Sequence, residues 1–213
     1  LLDSAYLHEK DAEYLNKRAW RRKKIFPDAD GEVEPLYTIA DAEKVMPLFR
    51  DVPYHQPYQV NDWMKLEMFD AGHILGSACL VVQVQAGPKQ IRLGFSGDIG
   101  RKEVPILRNP ESLPELDYLI METTYGGRGS HPHGKVKDKL TDVINRTAGR
   151  GGKVIVPAFA VGRTQQLVYL LHELWRENRV PRIPIFVDSP LAVNVTDIYR
   201  KHPECFDADT HAH

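Results

Sequence analysis

The feature that most constrains this sequence is a local design met three times in succession: a run of strand-like residues ending in one titratable side chain set among small residues. The first instance is FDAGHILGSA, Phe69 to Ala78, which places His73 between Gly72 and the small run Gly76, Ser77, Ala78. Glycine permits tight turns and the close approach of a ligand to the backbone. Upstream, Lys65 to Phe69 alternates polar and apolar residues; downstream, Leu80, Val82 and Val84 share one face and Val81, Gln83 and Gln85 the other. That period of two predicts strands on both sides. His73 is thus expected on a loop at the end of a sheet, where rigid strands hold functional groups.

After a turn at Ala86, Gly87 and Pro88, a second alternating strand (Ile91, Leu93, Phe95) runs into FSGDIGR, which sets Asp98 between glycines. A third apolar strand, Tyr118 to Met121, runs into ETTYGGR with Glu122 at its tip. Taken singly, each residue has a plainer reading. A histidine beside glycines is commonly structural, an aspartate between glycines commonly bonds its own turn, and a glutamate at a strand end commonly caps it. Together, imidazole and carboxylate groups on three convergent loops are the donor types that hold zinc in hydrolytic sites, at about 2.0–2.2 Å.

DAGHILGSA, FSGDIGR and ETTYGGR are followed by VIVPAFAVGRTQQLVYLLHELW and IFVDSPLA. In this order the five motifs resemble the β-CASP branch of the metallo-β-lactamase-fold hydrolases, the branch of the ribonuclease J enzymes and the polyadenylation endonuclease subunit. The resemblance runs over nearly the whole chain. It implies an α/β fold, with residues 1–125 as the C-terminal portion of a metallo-β-lactamase αββα sandwich and 126–213 as the first half of an inserted parallel α/β β-CASP domain. It further implies that His73 ligates one of two zinc ions, that Asp98 bridges both, and that Glu122, the first acidic landmark of the β-CASP part, serves catalysis by orienting a later histidine or by holding part of the catalytic network. The implied activity is two-metal hydrolysis of RNA phosphodiesters, with RNA as partner, no membrane, and a homodimer as an allowed assembly. A catalytically silent β-CASP scaffold subunit and a DNA-processing β-CASP nuclease are the alternatives; retention of His73, Asp98 and Glu122 argues against the first.

The family's main ligand run, His-x-His-x-Asp-His, does not occur. The His-x-His at His131 to His133 is followed by Gly134 and Lys135 where Asp and His are needed. The chain starts at Leu1, and the expectation is an internal fragment of a longer protein that by itself binds zinc weakly and hydrolyses nothing. Formal net charge is −1, which gives no global electrostatic drive toward nucleic acid, so any RNA contact must be local. Two cysteines, Cys79 and Cys205, far apart in sequence, form neither a disulfide framework nor a zinc knuckle and point to a reducing, cytoplasmic setting. No apolar run approaches membrane-spanning length.

The remaining elements are predicted from periodicity. A helix capped by Asp3 or Ser4 runs to about Arg22 and ends in the basic run Lys17 to Lys24, which with Trp20 is either a solvated helix end or a phosphate-contacting patch. Asp28, Asp30, Glu32 and Glu34 follow and offset its charge. Thr38 and Asp41 form a capping-box start to a helix packing Ala42, Val45, Met46 and Phe49. His55, in a turn between Pro53 and Pro57, reads as a surface or packing residue. Beyond Glu122, a helix through Val136, Leu140, Val143 and Ile144 stops at Gly149 to Gly152. A buried strand spans Val154 to Phe159, a helix buries Leu167, Leu170, Leu171, Leu174 and Trp175, a strand covers Ile185 to Val187, and a last helix covers Leu191 to Tyr199. Two substrate contacts are expected at helix starts, whose free N–H groups favour anions. One is Arg163, which also reads as a structural ion pair with an acidic neighbour; the other is Ser189, which also reads as an N-cap ahead of Pro190.

Overall fold

The structure, a computed structural model, describes residues 1–23, 32–127 and 133–211. The chain divides into two compact units, Leu1–Asp51 and Val52–His213. The first holds helix α1 (Leu2–Lys23), α2 (Ile39–Val45) and a 3-10 turn, Met46–Leu48. Ala5 and Ala12 are buried on α1. The capping box forms as the sequence requires: the Asp41 N–H donates to Thr38 Oγ1 at 3.2 Å and the Thr38 N–H to Asp41 Oδ2 at 3.1 Å. The expected apolar face does not continue, because Pro47 lacks an N–H and the chain tightens into the 3-10 turn. Only Ala42 is buried there; Val45, Met46 and Phe49 are exposed. The Ile39 N–H, free at the start of α2, donates to Glu9 of α1 at 2.9 Å. Of the basic run, Lys24 lies outside the described residues, as do Asp28, Asp30, His131 and His213.

The second unit is built on a five-stranded mixed sheet in the order β1 (Tyr58–Asn61), β2 (Met64–Asp70), β3 (Ala78–Ala86), β4 (Lys89–Phe95) and β5 (Tyr118–Ile120). The first four strands pair antiparallel and β5 joins β4 in parallel. The alternation read from the sequence holds, and the fully buried face of β3 is that of Cys79 and Val81. Opposite Val81 stands Gly94, where a Cβ would come within 2.4 Å of Leu116 Cδ1. The register Asp70↔Ala78, Leu80↔Phe95 and Phe95↔Ile120 places the end of β2, the start of β3 and the ends of β4 and β5 at one end of the sheet.

Helices α3 (His133–Gly149), α4 (Arg163–Arg176), α5 (Pro190–Lys201) and α6 (Ala208–His211) follow. Leu170 and Leu174 are buried on α4 as the periodicity predicts, while Trp175 is part exposed, with the Arg182 guanidinium 4.8 Å from its ring centroid. A cluster of Ile106, Leu107 and Tyr199, with Leu75, Tyr169 and Phe206 against it, joins the helices to the loops of the sheet. The strands expected at Val154–Phe159 and Ile185–Val187 do not form among the described residues. An apolar run becomes a buried strand only where another strand supplies ladder bonds and cover. Here neither run has a strand neighbour, and Ile155, Phe159 and Phe186 are more than four-fifths exposed. No described helix is long and apolar enough to cross a membrane.

Candidate metal-binding loops

The three loops singled out in the sequence meet at that one end of the sheet. His73 lies on the loop closing the β2–β3 hairpin, Asp98 just after β4, and Glu122 just after β5. His73 Nε2 and Asp98 Oδ2 are 4.0 Å apart, and both side chains reach solvent, Asp98 by 79%. Two donors about 2 Å from one tetrahedral zinc stand about 3.3 Å apart, so the pair at 4.0 Å is wider than a shared ion requires. Imidazole and carboxylate are the donor types that suit zinc. Among the described residues no group of three His, Cys, Asp or Glu converges to complete a site.

Backbone bonds fix the loops. Ser77 Oγ accepts the N–H groups of His73 and Ile74 at 3.0 and 3.2 Å, and the Ser77 N–H returns to Ile74 O at 3.0 Å. On the Asp98 side, Glu122 accepts the Ile99 N–H at 2.7 Å, and the Glu122 N–H is held by Ser96 Oγ at 3.0 Å. The Thr124 hydroxyl, aided by the Ile99 N–H, keeps the Glu122 carboxyl below its usual range, so it stays an anionic acceptor. Glu122 thus acts on the loop of Asp98.

The His73 and Asp98 loops also touch directly. The Gly100 N–H donates to Ala71 O at 2.8 Å, and a Cβ at Gly100 would stand 1.7 Å from Gly72 O. Gly72 itself, at φ +59°, leaves no room on its other side, where a Cβ would come within 2.7 Å of Arg108 O and Pro110 N. Glycine is required at both positions by backbone contact.

Behind the loop lies a polar cluster that the sequence reading did not single out. Asp70, 7% exposed, accepts the Gly72 N–H at 2.8 Å. Glu111 accepts the Asp70 N–H at 3.0 Å and lies 3.2 Å from His55 Nε2, and its own N–H donates to Asp70 O at 2.9 Å. Burial pushes the Asp70 carboxyl above its ordinary range, the Gly72 N–H opposes this, and the Glu111 charge adds to the rise. His55, exposed and edge-on to Phe69 at 5.3 Å, has the surface and packing role expected.

Arg163 opens α4 directly after Gly162, is exposed, and donates from Nη1 to Gln166 Oε1 of its own helix at 3.2 Å. Among the described residues no carboxylate pairs with it. Ser189 is the N-cap of α5, its Oγ accepting the Ala192 N–H at 3.2 Å, with Pro190 as the first helical residue. A cavity lined by Glu103, Lys137, Tyr169, Glu173 and Asp207 is not part of this site, since none of His73, Asp98, Glu122 or Arg163 lines it.

A mixed sheet with helices following it, and an imidazole and carboxylates gathered on loops at one sheet end, defines an α/β protein with a candidate site at that end. Comparison with known proteins narrows the class. The model of the Beta-Casp domain matches residues 164–213. Ribonuclease TTHA0252 of Thermus thermophilus is 32% identical over 185 residues, 84% of this chain and 40% of the relative. Cleavage and polyadenylation specificity factor subunit 3-I of Arabidopsis thaliana is 36% identical over 171 residues, 78% of this chain and 24% of the relative. Transcription termination factor FttA of Thermococcus kodakarensis is 34% identical over 177 residues, 81% of this chain and 26% of the relative. The chain belongs to the β-CASP branch of the metallo-β-lactamase-fold proteins. It spans 40% of the length of the first of these relatives and about a quarter of the other two.

Proposed function

We propose that the protein carrying this chain is a zinc-dependent nuclease that hydrolyses RNA phosphodiesters, with His73 and Asp98 among the ligands of a two-zinc centre. The observation that carries this reading is the placement of His73 Nε2 and Asp98 Oδ2 4.0 Å apart on two loops that share backbone contacts. Relatives named as a ribonuclease and endoribonucleases support RNA as the substrate. The division of labour falls near residue 126, with the metal loops before it and the strand-holding surface after it. Cys79 and Cys205 are free thiols, which supports a reducing, cytoplasmic setting.

Zinc bound here would supply Lewis-acid stabilisation of phosphoryl oxygens and an ionised water at neutral pH. The rest falls to the chain. Ser77 and Gly72 shape the loop that aims the His73 imidazole. Glu122 holds the Ile99 N–H and so orients the adjacent Asp98 carboxylate. Arg163, free of any carboxylate partner among the described residues, offers a planar fork to phosphate oxygens, and Ser189 caps the helix beside it in sequence order.

Asp98→Asn in the full-length protein tests the reading. Asparagine keeps the shape and removes the negative charge that a bridging ligand contributes, so zinc content and RNA cleavage should fall together. Cleavage should drop by at least about 100-fold, the upper scale for loss of a mere outer-shell partner. Near-normal turnover with both metals retained would overturn the bridging role. The mass of the same preparation in solution tests the homodimer that this reading includes.

A further inference from the structure

We infer that Tyr199 is a positioning residue for the metal centre, holding the His73 loop from the side of the helices. Tyr199 lies on α5, 5% exposed, in the cluster with Ile106 and Leu107. Its hydroxyl oxygen accepts the N–H of Leu75, two residues beyond His73, at 3.3 Å. Gly162, which opens α4 at φ +79°, presses on the same loop: a Cβ there would stand 2.9 Å from Ile74 Cγ2 and 4.0 Å from Tyr199 Oη. The loop is therefore gripped twice. Ser77 closes its base from within the hairpin, while Tyr199 and Gly162 fix Ile74 and Leu75 from elements more than eighty residues further along the chain.

The arrangement has a physical logic. A histidine ligand works only if its ring is aimed before the ion arrives, and groups behind the ligands set that aim. Ser77 alone restrains the N–H groups of His73 and Ile74, which leaves the descending side of the loop, at Leu75, free to pivot. A buried tyrosine has two torsions and a ring locked by packing, so its hydroxyl is a rigid post for the Leu75 N–H. The neighbouring approach of Gly162 to Ile74 ties the loop to the start of α4, the element that presents Arg163, so the two halves of the proposed site are set by one another.

This inference rests on the reading of His73 as a zinc ligand, and the experiment separates the two. Tyr199→Phe in the full-length protein keeps the ring and deletes the acceptor. Ile144→Val, which trims one buried methyl on α3, serves as a variant destabilised without contact to the loop. Two readouts are taken: zinc affinity by chelator competition, and the His73 imidazole resonance in the metal-free protein. Tyr199→Phe should weaken zinc about 10-fold, the lower end for an outer-shell partner, and should shift or split the His73 resonance. Ile144→Val should do neither. Ile74→Ala, which vacates the contact with Gly162, should move the same resonance. A His73 resonance unchanged by both Tyr199→Phe and Ile74→Ala overturns the inference. If the resonance responds but the wild-type protein holds no zinc, the positioning role stands and the zinc reading falls.

Discussion

Arg163 shows how much a single side chain can decide about a substrate. A guanidinium at a helix start that, among the described residues, bonds Gln166 Oε1 and no carboxylate is placed to meet an external anion, whereas a structural arginine would be spoken for by a carboxylate. In the full-length protein, Arg163→Ala should leave zinc content and melting temperature nearly unchanged and weaken RNA binding across sequences. The salt slope of binding should fall by about 0.7, as for one lost single-strand phosphate contact. An unchanged slope with a lowered melting temperature would assign Arg163 to structure. Asp70 makes the opposite point, that a carboxylate can serve a site without touching a substrate. Its folded-state carboxyl sits above the ordinary range, so between the unfolded value of about 4 and that raised value the folded chain binds the proton more tightly. Its contribution to stability therefore declines as pH rises through this window. Glu111, Arg108 and His55 face it and share the field. Asp70→Asn keeps an oxygen for the Gly72 N–H and removes the titration. Urea unfolding from pH 3.5 to 7 should show the variant gaining on wild type as pH rises. A gap that stays constant with pH would refute this account of Asp70.

At the scale of elements, α4 carries the helical part. Leu174 is fully buried and Leu170 nearly so, and the helix meets α3 and α5. Leu174→Ala should cost about 2–5 kcal/mol, the range for truncating a buried leucine, read as a shift of the denaturant midpoint; a cost below about 1 kcal/mol would mean that the site collapses around the smaller side chain. The loops of His73, Asp98 and Glu122 could be placed from the sequence because the first two follow strands whose alternation is local, the third follows a short apolar run, and nearby glycines mark the turns. Their supports were not legible. Tyr199 reaches Leu75 across 124 residues and Glu111 reaches Asp70 across 41, separations at which no periodicity carries information. Ser77 and Ser96 sit inside motifs that were read, but a serine hydroxyl signals a backbone bond only once the turn it closes is known. The runs at Val154–Phe159 and Ile185–Val187 fail as strands for a related reason. Periodicity reports that a segment is apolar, while a strand also requires a neighbour, and the neighbour is not encoded in the segment.

For the whole molecule, the bare outer side of β5 has a consequence for handling the polypeptide. Among the described residues β5 pairs only with β4, and Tyr118, Ile120 and Met121 are each more than half exposed. A row of unpaired peptide groups beside aliphatic side chains is a template for intermolecular strand addition. The 213-residue polypeptide prepared by itself should therefore grow in size with concentration, and light scattering over a dilution series should record it. Ile120→Lys sets a charge on that edge and should hold the particles at the mass of one chain, whereas equal growth in both would acquit the edge. The strand that runs into Glu122, and so supports the Asp98 loop, is by the same geometry a place where this polypeptide is open to polymerisation.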